Sequence, residues 1–195
     1  MAMFMPQLRE AIMPLHDEAE KRGPLREIPE KTMTLNNYKK ILGRLYGFVS
    51  ASEEVIEPLF ASDSVDLDWG ERKRVGHLEN DLIFLGETRK TLEMLPKCEE
   101  VSNIRNMSQA LGIVYLFEGS RLGGLVLSKA LREHFGFGNY QGYAYFASNG
   151  AEVVAMWQTF KNFMENHVAS NGGEAEIIIS AERSFDLLNM WLNTY

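Results

Sequence analysis

Cysteine is nearly missing from this chain. Cys98 is the only one, so no internal disulfide can form, and a lone thiol suits a reducing cytoplasm. Lys97, Glu99 and Glu100 surround it, and an exposed connector is expected there. No run of about 18 apolar residues occurs, so no membrane span is expected. The apolar start, Met1 to Met5, is too short and too soon followed by charge to read as a signal peptide. Positive charge is in deficit: 20 Lys and Arg against 27 Asp and Glu give a net charge of −7, which disfavours nucleic acid and anionic membranes as generic partners. Chemistry-bearing clusters are also lacking. There is no His/Cys/Asp set at zinc spacing and no paired Glu-x-x-His pattern of a di-iron bundle. No flavin or dinucleotide motif is present either, since Gly136-Phe137-Gly138 follows a helix and not a strand. The expectation is a soluble cytoplasmic protein.

What is abundant is helical periodicity. The chain has 195 residues, 45% of them hydrophobic, enough for one domain over 1–195 with a substantial core. Leu35, Tyr38, Leu42, Leu45 and Val49 recur at steps of three and four behind a possible N-cap at Thr34. Ile178, Ala181, Phe185, Leu188 and Leu192 do the same at the other end, so Ile177-Ile178-Ile179 is read as helix despite its β-branching. Further helices are predicted near 6–22, 34–60, 69–85, 103–135 and 149–169, with a shorter one near 87–95. Gly136, Gly138 and Gly142 mark a loop of about a dozen residues. No repeats or linkers interrupt the pattern, and the fold class is a single all-α domain.

Two features depart from a bland helical core. Residues 118–124 read Glu-Gly-Ser-Arg-Leu-Gly-Gly inside a long helical stretch. Three glycines in two turns weaken a helix by roughly 0.5–1 kcal/mol each. Their use is to remove side chains where backbone must lie against something flat or bulky, and to let the helix bend. The second feature is His16, which flanks the stripe Leu8, Ile12, Leu15 and Ala19, with Glu20 one turn on and within reach of its ring. A carboxylate on the second ring nitrogen is the usual partner of a metal-bound imidazole, although a histidine beside an apolar face is more often a packed residue. The other histidines read more plainly: His134 and His167 sit near helix C-termini, and His77 on the surface of a charged helix. If His16 binds a metal, most remaining ligands come from outside the protein, and a porphyrin meets that need.

At these residues the chain resembles a haem oxygenase, most closely the bacterial, biliverdin-producing branch. Leu8-Arg9-Glu10-Ala11 with His16, Ala19 and Glu20 matches the family's proximal helix. Tyr38 through Leu45-Tyr46 to Glu53-Glu54-Val55-Ile56-Glu57 matches its second. Leu78-Glu79-Asn80-Asp81-Leu82 with Phe84 and Gly86 matches its third, and Glu118 to Gly124 its distal helix. The resemblance implies a multi-helical bundle whose distal helix bends at the glycines.

It also implies roles. His16 is the proximal iron ligand, oriented by Glu20, while Gly119, Gly123 and Gly124 line the distal face and crowd bound dioxygen toward a porphyrin meso carbon. Arg9 and Lys161 stand where the family places basic residues for the propionates. Ser120 replaces the aspartate of animal members, which leaves proton delivery to Ser120, backbone carbonyls and water, helped by Arg121 or Glu118. Haem is both cofactor and substrate, and the products are biliverdin, carbon monoxide and ferrous iron. Electrons come from a ferredoxin, flavodoxin or reductase, with Lys129, Arg132 and Lys161 as docking candidates. Pro14, two residues before His16, implies a kink or a later helix start, and with Ser120 it motivates the alternative of a non-enzymatic haem-binding, storage or sensing protein.

Overall fold

Thr34 Oγ1 accepts the Asn37 N–H at 3.2 Å and opens α2 (Leu35–Ser62), the cap read from the sequence. The computed structural model describes residues 3–62, 65–138 and 140–194; Met1 and Ala2 of the apolar start lie outside them. Eight α-helices follow one another, with short 3-10 turns between, and no strand occurs among the described residues. They are α1 (Phe4–Arg22), α2, α3 (Val75–Phe84), α4 (Arg89–Glu93), α5 (Met107–Phe135), α6 (Ala144–Ala147), α7 (Val153–Asn171) and α8 (Glu174–Asn193).

The central pair is α5 and α8. A Cβ built on Gly112 would stand 2.5 Å from Ser180 Cβ and 2.6 Å from the Ala181 nitrogen, so the glycine is what permits this crossing. Ser180 Oγ donates to the Gln109 carbonyl at 2.6 Å across the same contact. The buried face of α8 is Ile177, Ser180, Ala181, Ser184 and Leu192. It is rotated slightly from the predicted stripe, because small side chains and not large apolar ones meet α5 there. Packed against α8 and α7 is α1, and against α2 lies α3.

α1 starts at Phe4, ahead of Pro14, and continues through it. Its start is held from another element: Glu165 of α7 accepts the Phe4 N–H at 2.9 Å and the Met5 N–H at 2.8 Å. A carboxylate in that place satisfies free donors and suits the helix dipole. Leu8 and Ile12 are buried, whereas Leu15 and Ala19 are only half-buried.

Several sequence expectations are revised. The helix predicted over 69–85 is split into a turn at Gly70–Arg72 and α3, because the Glu53 carboxylate takes the N–H groups of Arg74 and Val75 and starts a helix there. The stretch 103–135 starts at Met107, where Asn106 caps the Gln109 N–H, and runs as α5 through all three glycines of the motif. The 136–148 loop contains α6. Cys98 is buried, not exposed: its N–H donates to the Gly47 carbonyl, and the Pro96 carbonyl lies so close to Gly47 that a Cβ there would meet it at 2.1 Å. Burial, with Glu100 second, pushes its thiol up to about 11. His77 is half-buried, with its pKa lowered first by that burial and then by Arg74 and Arg121. By length and composition α5 could cross a membrane, but 61% of its most apolar window is buried in the fold, so its apolarity is that of a core helix.

Candidate functional site

Along α5 the glycines of the motif fall into two kinds. Gly124 is closed in: a Cβ there would sit 2.7 Å from the Phe146 carbonyl oxygen, so α6 rests directly on the helix backbone. Gly119 and Gly123 face open space, with nothing within 4 Å of a built Cβ. They share one helical face with Leu122 and Val126, which are 36% and 66% exposed. This open apolar face succeeds a buried first half of the helix, Ala110 to Glu118. Among the described residues no contact requires glycine at 119 or 123.

His16 lies on the half-buried part of α1, its side chain 49% exposed. The ring packs at 6.4 Å from that of Phe185 on α8, and Nδ1 stands 3.9 Å from Glu20 Oε1. Arg9 is exposed, two turns back on the same face of α1. It is close enough to Tyr115 to pull down a hydroxyl that burial pushes up. Tyr115 meets Trp157 at 5.8 Å between rings, and Lys161 follows Trp157 by one turn on α7. The structure places Arg9 beside Tyr115 of this aromatic pair, with Lys161 one helical turn beyond Trp157. Lys129 and Arg132 are exposed on the last third of α5.

Behind the motif lies a buried charged cluster that the sequence reading missed. Arg72, Arg74, Glu118 and Arg121 are each at most 5% exposed. Glu118 is paired with both Arg72 and Arg121, and Arg121 also donates to the Arg72 carbonyl at 2.6 Å and to Asn149 Oδ1. Arg121 and Glu118 are thus committed to each other and to the turn at 70–72. Burial lowers the pKa of Arg72, with Glu118 opposing that shift. Arg74 reaches the motif itself. Its Nη1 donates to Ser120 Oγ at 2.8 Å and to the Phe117 carbonyl at 3.3 Å, and its Nη2 donates to the Tyr145 carbonyl at 3.1 Å. The guanidinium lies 3.9 Å from the centre of the Tyr145 ring, a cation–π contact. Ser120 in turn donates to the Phe117 carbonyl at 2.8 Å. One sequence signal could have revealed the cluster: Arg74 and Asp81 share the apolar face of α3 with Leu78, where unpaired charge is not tolerated.

A cleft of about 680 Å³ is lined by Thr159, Asn162, Phe163, Asn166, His167 and Ser170, among others; none of the predicted site residues lines it. Among the described residues no group of three or more His, Cys, Asp or Glu could hold a bare metal ion. A metal at His16 therefore needs a carrier that brings its own ligands.

The Heme oxygenase family model matches residues 2–194. A protein named heme oxygenase from Xanthomonas campestris pv. campestris is 27% identical over 151 residues, 77% of this chain and 85% of that protein. Among solved structures, heme oxygenase from Leptospira interrogans superposes with a TM-score of 0.84 at 18% identity, covering 98% of this chain and 99% of that one. Heme oxygenase-1 from Synechocystis in complex with heme superposes with a TM-score of 0.83 at 21% identity, covering 97% and 90%.

Proposed function

Because the chain belongs to the haem oxygenase family, we propose that it opens haem oxidatively to biliverdin, carbon monoxide and ferrous iron, using dioxygen and electrons from a separate donor. The observation that carries this reading is the open apolar face at Gly119 and Gly123, which none of the described residues fills. A flat apolar macrocycle fits it, and the half-exposed imidazole of His16 fits an iron that arrives with four ligands of its own.

In this reading His16 is the protein ligand beneath the iron, and Glu20 orients its ring through Nδ1. Gly119 and Gly123 keep Cβ atoms off the opposite face, where the bound macrocycle supplies the iron that activates dioxygen. Gly124 does not face that space; it lets α6 seat against the helix and holds the face in position. Arg9 and Lys161 receive the propionates beside Tyr115 and Trp157. Ser120 is held at the motif by Arg74, with its own proton directed at the Phe117 carbonyl. A proton delivered to the distal face therefore reaches it through water, with the Ser120 oxygen as a fixed acceptor. A ferredoxin, flavodoxin or reductase is the electron donor, met by Lys129, Arg132 and Lys161.

The test is to add hemin, then ascorbate or a reductase under air. Decay of the Soret band with growth of a broad red absorption is expected. A second reading, haem binding without turnover, is favoured by one observation: the Ser120 hydroxyl already has both its donor and an acceptor role filled within the fold. A Soret band that persists through reduction in air selects it.

A further inference from the structure

Tyr145 is held from both ends, by Asp81 of α3 and by Arg74, the residue that precedes α3. Asp81, fully buried, accepts the Ala144 N–H on Oδ1 at 2.7 Å and the Tyr145 N–H on Oδ2 at 2.9 Å. Two turns back, Arg74 takes the Tyr145 carbonyl and covers its ring. From α2, the buried Tyr38 hydroxyl donates to the Gly142 carbonyl at 2.7 Å. No cation is paired with Asp81 among the described residues; its charge is met by backbone N–H groups alone. The next residue in the chain is Phe146, whose carbonyl oxygen abuts Gly124, and Arg74 also fixes Ser120.

We propose that Asp81 is a positioning residue for the glycine face of α5: with Arg74 it grips Tyr145, and the gripped segment sets how α6 bears on Gly124. A buried carboxylate without a counter-ion is costly to keep, and local helix capping alone could be done by the exposed serine or asparagine common in turns. At Asp81 both oxygens are used on successive N–H groups, a geometry that fixes direction as well as distance. The segment so fixed bears on the glycine motif of α5 at Gly124, and Arg74 holds both. The grip is a property of the polypeptide; its consequence for the macrocycle rests on the function proposed above.

The test uses the full chain and the isosteric substitution Asp81→Asn, which retains one acceptor and turns an N–H toward the second donor. Amide hydrogen exchange without hemin reads the grip directly. The Ala144 or Tyr145 amide should exchange about tenfold faster, as for the loss of one hydrogen bond, and the amides of 119–126 should accelerate with it. Gly124→Ala, which forces α6 off the helix from the other side, should accelerate the same 119–126 amides, and the double variant should do so no more than the stronger single one. With hemin bound and reduced, the stretching frequency of added carbon monoxide should shift in both variants, because it senses the distal face and not overall stability. Faster exchange confined to 142–146, or additive effects of the two substitutions on 119–126, overturns the proposal. Failure to bind hemin removes the functional reading and leaves the exchange result standing.

Discussion

Arg74 Nη1 and the Phe117 carbonyl both stand 2.8 Å from Ser120 Oγ or within its reach, the first donating to it and the second accepting from it. Ser120 is thus not a free hydroxyl on the glycine motif. It is the outer member of a network rooted in a fully buried guanidinium. Arg74→Met keeps the apolar stem and deletes donors to Ser120, Phe117 and Tyr145. We expect a loss of about 3 kcal/mol in urea unfolding, from buried acceptors left without partners, together with a slower decay of the Soret band.

His16→Ala should behave in the opposite manner. The side chain is half-exposed and makes no buried hydrogen bond, so stability should change by no more than about 0.5 kcal/mol. The ferric haem complex should lose its imidazole signature, and added imidazole should restore it. An unaltered spectrum removes His16 from the iron.

Glu165→Ala tests whether the proximal helix is held from α7. Two backbone N–H groups at Phe4 and Met5 lose their acceptor, which costs about 1 kcal/mol. Amide exchange should quicken over residues 4–8, with the rest of α7 unaffected. Glu165→Gln, still an acceptor but uncharged, should lose less.

Gly112→Ala is expected to damage the seam between α5 and α8. The built Cβ meets Ser180 and Ala181 at 2.5–2.6 Å, and one of the contacts is backbone, which cannot rotate aside. A loss of about 2 kcal/mol or more is expected, lowering the thermal midpoint by roughly 6 °C for a chain of this size. By contrast, Gly119→Ala and Gly123→Ala meet no atom and should stabilise the haem-free protein by about 0.5–1 kcal/mol each, the helix cost of glycine.

Asp81 gives stability a pH dependence with a definite sign. Burial raises its pKa from 3.8 to about 6, against the lowering effect of the Tyr145, Ala144 and Gly142 N–H groups. The folded chain therefore holds this proton more tightly than the unfolded chain does. Its contribution to stability is complete below the unfolded value, and is lost as pH rises through about 6. Between pH 8 and pH 5 this group alone should add about 1 kcal/mol as the solution is acidified. Urea midpoints across that range should show the rise in the parent chain and lose it in Asp81→Asn.

The sequence disclosed those parts of the molecule whose physics is local. Thr34 capping α2, the stripe of Leu35, Tyr38, Leu42, Leu45 and Val49, and the tolerance of Ile177-Ile178-Ile179 for helix are decided within a turn or two of chain; the structure agrees, save that Leu35, the first residue of α2, is 49% exposed. The start of α3 was not legible, because its cap is Glu53, some twenty residues upstream. The burial of Cys98 was not legible either: it depends on Gly47 leaving room on α2, a fact about two distant backbones. At the glycine motif the three residues looked equivalent, since a sequence shows a missing side chain but not what stands opposite. Only the fold separates Gly124, against Phe146, from Gly119 and Gly123, against nothing. The arginine cluster escaped notice for a related reason: charge spaced along a helix reads as surface until a third element closes over it.

The way α1 is anchored bears on His16. Glu165 tethers one end of a rod, and the imidazole rides about 18 Å farther along it. Between them Pro14 omits one rung of the hydrogen-bonded ladder. Such an arrangement is a rod with a soft joint about 3 Å short of the ring, so a tilt of about 5° at Pro14 moves the imidazole by well under 1 Å. The imidazole can therefore adjust to a bulky guest while Leu8 and Ile12 keep their buried places and the seam of the two central helices stays closed.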